Sequence, residues 1–139
     1  MSVIVNDDGF SADDWAHDFH ALGEVDAARG APALAVDLQS DADPDTLAGQ
    51  LGGIDMIRVD FPSFADGRGF TIARRLRQMG FHGRLRAQGH VIADQYAMAR
   101  RCGFDEVEIS DDLAERQPAG QWLRRAEWQA HDYQSRLRG

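Results

Sequence analysis

Between residues 60 and 69 the chain reads DFPSFADGRG, two carboxylates and one guanidinium set around a pair of glycines. An ordinary turn does not need that chemistry. Asp60 and Asp66 are of the type that exchanges a proton with a substrate as acid or base. The Arg68 fork suits the oxygens of an anion. Gly67 and Gly69 allow backbone N–H groups to turn toward an anion where a helix begins. The ordinary alternative makes Asp66 a helix N-cap, which needs no ligand. A second polar group follows at Gln88, Gly89 and His90, with Arg86 just before it and Asp94 and Gln95 a turn later. Asp94 and Gln95 also have an ordinary reading, as side chains bonded to nearby main chain. Together the two stretches mark a candidate anion or ligand site comprising Gly67, Arg68, Gly69, Arg86, Gln88, Asp94 and Gln95, with Asp60, Asp66 and Arg68 as catalytic candidates.

Other reactive types are scarcer. Cys102 is the single cysteine, so the chain alone can build neither a disulfide nor a multi-thiolate zinc or iron–sulfur site. It closes a helical pattern at Arg-Arg-Cys-Gly-Phe, where the negative end of the helix dipole disfavours a thiolate, and reads as a small buried residue. Asp13, Asp14, His17, Asp18 and His20 have spacings that could hold a metal, but an acidic segment of this kind reads as solvated side chains. All fifteen basic residues are arginine, which excludes lysine Schiff bases and a Walker-type phosphate lysine. No Gly-x-Gly-x-x-Gly, Cys-x-x-Cys or Gly-x-Ser-x-Gly motif occurs, so no cofactor or metal is expected from motifs.

Positioning these groups requires elements. From residue 33 a short β-type run, a loop, an amphipathic helix and a glycine recur. Strands are expected at Ala33 to Gln39, Met56 to Phe61, Arg84 to Gln88 and Glu106 to Ser110. A helix is expected over Thr71 to Met79, with Ile72, Ala73, Leu76 and Met79 on one stripe. Gly80-Phe81 and Gly103-Phe104 read as Schellman stops, and Gly52-Gly53-Ile54 as a similar end to the first helix. A last helix is expected after Asp111, with Pro118 near its first turns. Alternate strand residues separate cleanly. Leu34, Val36, Leu38, Ile57, Val59, Phe61, Leu85, Ala87, Val107 and Ile109 share an apolar face. Asp37, Arg58, Asp60, Arg84, Arg86, Gln88, Glu106 and Glu108 share a charged one.

The expected class is therefore α/β, a four-stranded, mainly parallel sheet of successive βα units with helices mostly on one face, like half of a barrel. A flavodoxin-like three-layer arrangement is the alternative, disfavoured because its strands would be apolar on both faces. Residues 1–30 read as an appendage with a small hairpin at Val3 to Phe10, and residues 31–139 as one α/β domain. If the charged face is covered, by the appendage or by a second subunit, its charges must pair.

With 139 residues and 43% hydrophobic content, one core is expected. A net charge of −8 disfavours nucleic acid. The absence of a long apolar run or a secretion signal points to the cytoplasm and away from membranes.

IRVDFPSFADGRGFTIARRLR and GRLRAQGHVIADQYAMARRCGFDEVEI resemble an uncharacterised bacterial family, a domain-of-unknown-function family whose members carry the label of an oxidoreductase of sulfite reduction. The resemblance spans residues 33 to 134. Its motifs fall on Asp60, Phe61, Pro62, Phe64, Asp66, Gly67, Arg68 and Gly69; on Leu85, Arg86, Ala87 and Gly89; on Asp94 and Gln95; and on Arg101 to Phe104. His90 stands where the family often has an acid. The resemblance implies a role in sulfur assimilation, as an accessory protein or oxidoreductase partnering sulfite reductase or phosphoadenylylsulfate reductase. Electron transfer to sulfite needs siroheme or an iron–sulfur cluster, and the chain has no ligand set for the latter. The competing expectation is a non-catalytic module that docks through its charged sheet face.

Overall fold

The computed structural model describes residues 2–30, 33–126 and 128. Its organising element is a single seven-stranded sheet, ordered β2-β1-β7-β6-β5-β4-β3. The strands are β1 (Ser2–Asn6), β2 (Gly9–Ala12), β3 (Phe19–Ala21), β4 (Ala35–Leu38), β5 (Met56–Phe61), β6 (Arg84–Gly89) and β7 (Glu106–Ser110). β3 through β7 run parallel in chain order, and β1 lies antiparallel on β7 with β2 beyond it.

The α/β class is as the strand phases require, but four strands is an undercount. The hairpin at Asn6-Asp7-Asp8-Gly9 forms, with Gly9 at φ +113° and the Asn6 carboxamide accepting the Asp8 N–H. It pairs into the main sheet, and β3 adds a parallel edge strand. The order of the parallel strands has no reversal, so the switch point of a flavodoxin-like sheet is absent.

The side-chain phases hold. Val36, Leu38, Ile57, Val59, Phe61, Leu85, Ala87, Val107 and Ile109 all join the hydrophobic core. Against them lie α2 (Arg68–Gln78), through Phe70, Ile72, Ala73 and Leu76, and α3 (Tyr96–Cys102), through Tyr96, Ala99 and Cys102. The short α1 spans Val25–Ala28. Both Schellman stops are present: Phe81 and Phe104 donate their N–H groups to the carbonyls of Leu76 and Ala99, with Gly80 at φ +97° and Gly103 at φ +112°.

Two expected helices differ. In place of a helix ending at Gly52-Gly53 there are two 3-10 turns, Pro44–Leu47 and Leu51–Gly53. Gly49, Gly52 and Gly53 each weaken a helix by about 1 kcal/mol, and Gly49 sits at φ +80°. The C-terminal helix is broken into α4 (Asp111–Arg116) and α5 (Ala119–Leu123) by Pro118, which caps α5. Trp122 on α5 is buried and its indole N–H donates to the Gln117 carbonyl at 2.8 Å. The Tyr133-Gln134 match of the resemblance lies outside the described residues.

Residues 13–18 join β2 to β3, from one edge of the sheet to the other. Flat, six strand spacings of about 4.8 Å would need roughly 29 Å. Seven residue steps at about 3.5 Å reach only about 25 Å. The sheet must therefore curl toward this strap, which crosses the charged face.

Candidate functional site

The DFPSFADGRG stretch leaves the carboxyl end of β5. Asp66 accepts the backbone N–H of Arg68 at 3.1 Å and both its carboxylate oxygens take the Arg68 fork, at 3.0 and 2.7 Å. Arg68 also donates to the Ser40 hydroxyl at 2.8 Å. That turn starts α2 three residues before the expected Thr71, so Arg68 lies in its first turn. The Arg68 bonds hold the Asp66 carboxyl well below the usual carboxylate range. The glycines have separate reasons. A Cβ on Gly69 would stand 2.5 Å from the Phe61 ring, so this glycine exists for packing. A Cβ on Gly67 would meet only Phe70, at 3.8 Å.

Arg86 is elsewhere. Its strand phase puts it on the strap-covered face, fully buried, donating to Glu106 at 2.6 Å, to Glu108 at 2.8 Å and to both oxygens of Asp13 at 3.1 and 3.2 Å. Arg84 bridges Glu106 and Asp14, and Arg58 bridges Asp37 and Glu108 beneath the Phe19 ring, 3.7 Å from its centroid. Burial works against the Arg86 charge, yet the surrounding carboxylates outweigh it and raise its pKa. Burial likewise pushes the Asp13 pKa up, but the bonds from Arg86 and the Trp15 N–H leave it lowered; Asp14 is lowered first by Arg84. Asp13 and Asp14 thus pair with arginines of the charged face while staying exposed to solvent, Asp14 at 69%. Among the described residues no group of three or more His, Cys, Asp or Glu is placed to hold a metal ion.

Arg68 and Arg86 therefore share no partner. Arg68 borders a shallow groove of about 610 Å³ between the loop at 40–45 and α2. Asp94 pairs with Arg125. Gln95 ties the two loops together: its carbonyl accepts the Ile92 N–H at 3.0 Å and its amide donates to the Phe64 carbonyl at 3.0 Å. Cys102 is buried, and Arg74 donates to its sulfur at 3.5 Å.

A better-enclosed cavity, of about 420 Å³, lies at the carboxyl ends of β6 and β7. Gln88, Gly89 and His90 form one wall, Glu108 and Ser110 another, with Ser2, Phe64, Leu113 and Arg116 closing it. Gly89 is at φ +113°, and a Cβ there would meet the Phe61 carbonyl at 2.7 Å, so β6 can only end on glycine. The turn that follows brings the His90 N–H to that carbonyl at 2.9 Å and His90 Nδ1 to it at 3.2 Å. Phe64 packs edge-on against the imidazole, ring centroids 5.1 Å apart. Asp60 stands behind, its Oδ1 3.5 Å from where a Gly89 Cβ would be. Glu108 lines the cavity while already neutralised by Arg58 and Arg86. The Arg116 side chain is exposed and makes no hydrogen bond or ion pair with another described residue. Of the residues singled out from the sequence, the cavity gathers Phe64, Gln88, Gly89, His90 and Glu108. It adds Ser2, Ser110 and Arg116, for which the signal was position: Ser110 closes the last strand and Arg116 follows within one short helix.

No helix among the described residues is long and apolar enough to cross a membrane. A family model described as a bacterial protein of unknown function, DUF934, matches residues 35–139. No curated protein matches the chain.

Proposed function

Because the chain belongs to the bacterial family of unknown function DUF934, we propose that it is an accessory protein of assimilatory sulfite reduction that binds a small oxyanion in the cavity at the ends of β6 and β7. The observation that carries the oxyanion half is Arg116, a guanidinium without a described partner beside Gln88, His90 and two serine hydroxyls. A planar fork of this kind recognises two oxygens at once. Carboxyl ends of parallel strands are where α/β sheets collect ligands. Glu108 does not oppose the anion, since Arg58 and Arg86 already pair with it.

The sulfur half rests on the resemblance of the Asp60 to Gly69, Leu85 to Gly89 and Arg101 to Phe104 motifs to proteins labelled for sulfite reduction. Binding without catalysis is favoured because Asp66, a catalytic candidate, spends both oxygens on Arg68. Docking through the charged sheet face has less support, because the strap lies over that face. A cytoplasmic sulfite reductase or phosphoadenylylsulfate reductase would instead meet the cavity rim, where Phe64 is exposed.

Titration calorimetry of the protein with sulfite, sulfate, inorganic phosphate and adenylylated sulfate tests the site. Saturable binding of at least one anion is expected, weakened at least tenfold in Arg116→Ala. Absence of heat with all of them at millimolar concentration, or binding indifferent to Arg116→Ala, refutes it.

A further inference from the structure

His90 enters the cavity with its two ring nitrogens in different states. Nδ1 lies 3.2 Å from the Phe61 carbonyl oxygen, which can only accept. In the neutral imidazole the proton therefore sits on Nδ1, and Nε2 is left as a bare lone pair. Phe64, edge-on to the ring, holds the orientation. The Phe61 carbonyl is itself fixed by strand pairing and by the His90 main-chain N–H, so the tautomer is built into the end of β6. The charged groups around the imidazole are Arg116 from α4, Glu108 from β7 and Asp60 from β5. Glu108 is neutralised by arginines on the strap side, leaving Arg116 as the cationic anchor.

A lone pair facing an oxyanion repels it unless the oxyanion brings a hydrogen. We propose that the cavity selects oxyanions carrying a proton, with Arg116 holding the unprotonated oxygens and His90 Nε2 accepting the O–H of the ligand. This rests on the oxyanion site proposed above and narrows it to hydrogen phosphate, a phosphomonoester monoanion or hydrogen sulfite, excluding sulfate. A site whose acceptor meets a ligand O–H disfavours an isosteric ligand lacking it, because two sets of lone pairs then face each other.

Phosphate and sulfate are the decisive probes, being nearly isosteric while only phosphate keeps a proton at neutral to mildly alkaline pH. Calorimetry at about pH 8, the upper end of the range in which imidazoles generally titrate, should show phosphate binding the wild-type protein at least tenfold more tightly than sulfate. In His90→Phe, which keeps a ring against Phe64 but has no acceptor, the two anions should bind within about twofold of each other. Sulfite, mostly unprotonated at this pH, is the third arm and should bind more weakly than phosphate; sulfite binding as tight as that of phosphate would overturn the proton selectivity. Equal affinity for sulfate and phosphate in the wild-type protein overturns the proton selectivity while leaving the oxyanion site standing. Failure of every anion to bind overturns both.

Discussion

Arg86→Met tests whether the charged sheet face is an interior. The Arg86 side chain is 0% exposed, and the carboxylates it joins, Glu106 and Glu108, are 8% and 9% exposed. Removing one partner of a buried ion pair costs about 3–5 kcal/mol, because the other charge stays desolvated. Here neither glutamate is wholly orphaned: Glu106 keeps Arg84 at 2.6 Å and Glu108 keeps Arg58 at 3.1 Å. Asp13 loses both of its bonds to Arg86 but keeps the Trp15 N–H at 3.0 Å and can turn to water. The low end applies, roughly 3 kcal/mol. Methionine fills much of the vacated space, so little of this is a cavity effect. Against a typical total of about 5–15 kcal/mol that is a large fraction, and the melting temperature should fall by roughly 10 °C. Urea unfolding followed by circular dichroism should show a lower midpoint at unchanged slope. Adding Glu106→Gln and Glu108→Gln to Arg86→Met should recover at least half of the loss, because the uncompensated charge is gone. A loss below about 1 kcal/mol, the value of a surface ion pair, would refute the claim that the strap encloses this face.

Two further outcomes discriminate packing from ligand chemistry. Gly69→Ala places a methyl 2.5 Å from the Phe61 ring, which is confined by Phe70 and Phe104 at centroid distances of 4.9 and 5.8 Å; thermal unfolding should register about 1–3 kcal/mol of overpacking. Gly67→Ala should change stability by less than about 0.5 kcal/mol, and equal effects at the two glycines would contradict the packing account. Acid should loosen the strap. The Asp13 and Asp14 pKa values are lowered in the folded protein, so their contribution is complete above an unfolded value of about 3.9 and is lost as pH falls through the lower folded values. The NMR signal of the Trp15 indole N–H should shift below about pH 4, and in Asp13→Asn/Asp14→Asn it should already be shifted at neutral pH; a signal constant down to global unfolding would argue against a strap held by these carboxylates.

What the sequence discloses follows from range of interaction. The two faces of the sheet were legible because alternation is local, and the stops at Gly80 and Gly103 because a left-handed glycine followed by a buried aromatic is a local pattern. β3 was not: Phe19, His20 and Ala21 are too few for periodicity, and they become a strand only by pairing with β4. The pairing of Asp13 and Asp14 with arginines was hidden for the same reason. Their partners lie 70 and 73 residues away in sequence, Arg84 for Asp14 and Arg86 for Asp13, too far for any local pattern to pair them. The separation of Arg68 from Arg86 was available in principle. Arg86 follows the charged strand phase, whereas α2 packs on the apolar face, so the two guanidiniums belong to opposite sides of the sheet. Arg116 escaped because the final helix had no clear phase until Pro118 was seen to divide it.

Charge accounting on the curled face explains how one chain can keep an interior ladder of ions and an anion-accepting cavity side by side. Arg58, Arg84 and Arg86 face Asp37, Glu106 and Glu108, an even balance before the strap contributes Asp13 and Asp14. The strap therefore docks onto a neutral face, and net attraction cannot be what holds it. Geometry does: the two-oxygen fork between Arg86 and Asp13, the Arg84 to Asp14 bond at 2.5 Å and Phe19 stacked on Arg58. The cost is visible in the buried Trp15 indole N–H, which has no hydrogen-bond partner among the described residues. Glu108 belongs to both regions, its carboxylate paired with Arg58 and Arg86 on the strap side while the residue lines the cavity on the other. Neutralising that one carboxylate from behind leaves Arg116 to set the sign of the cavity in front.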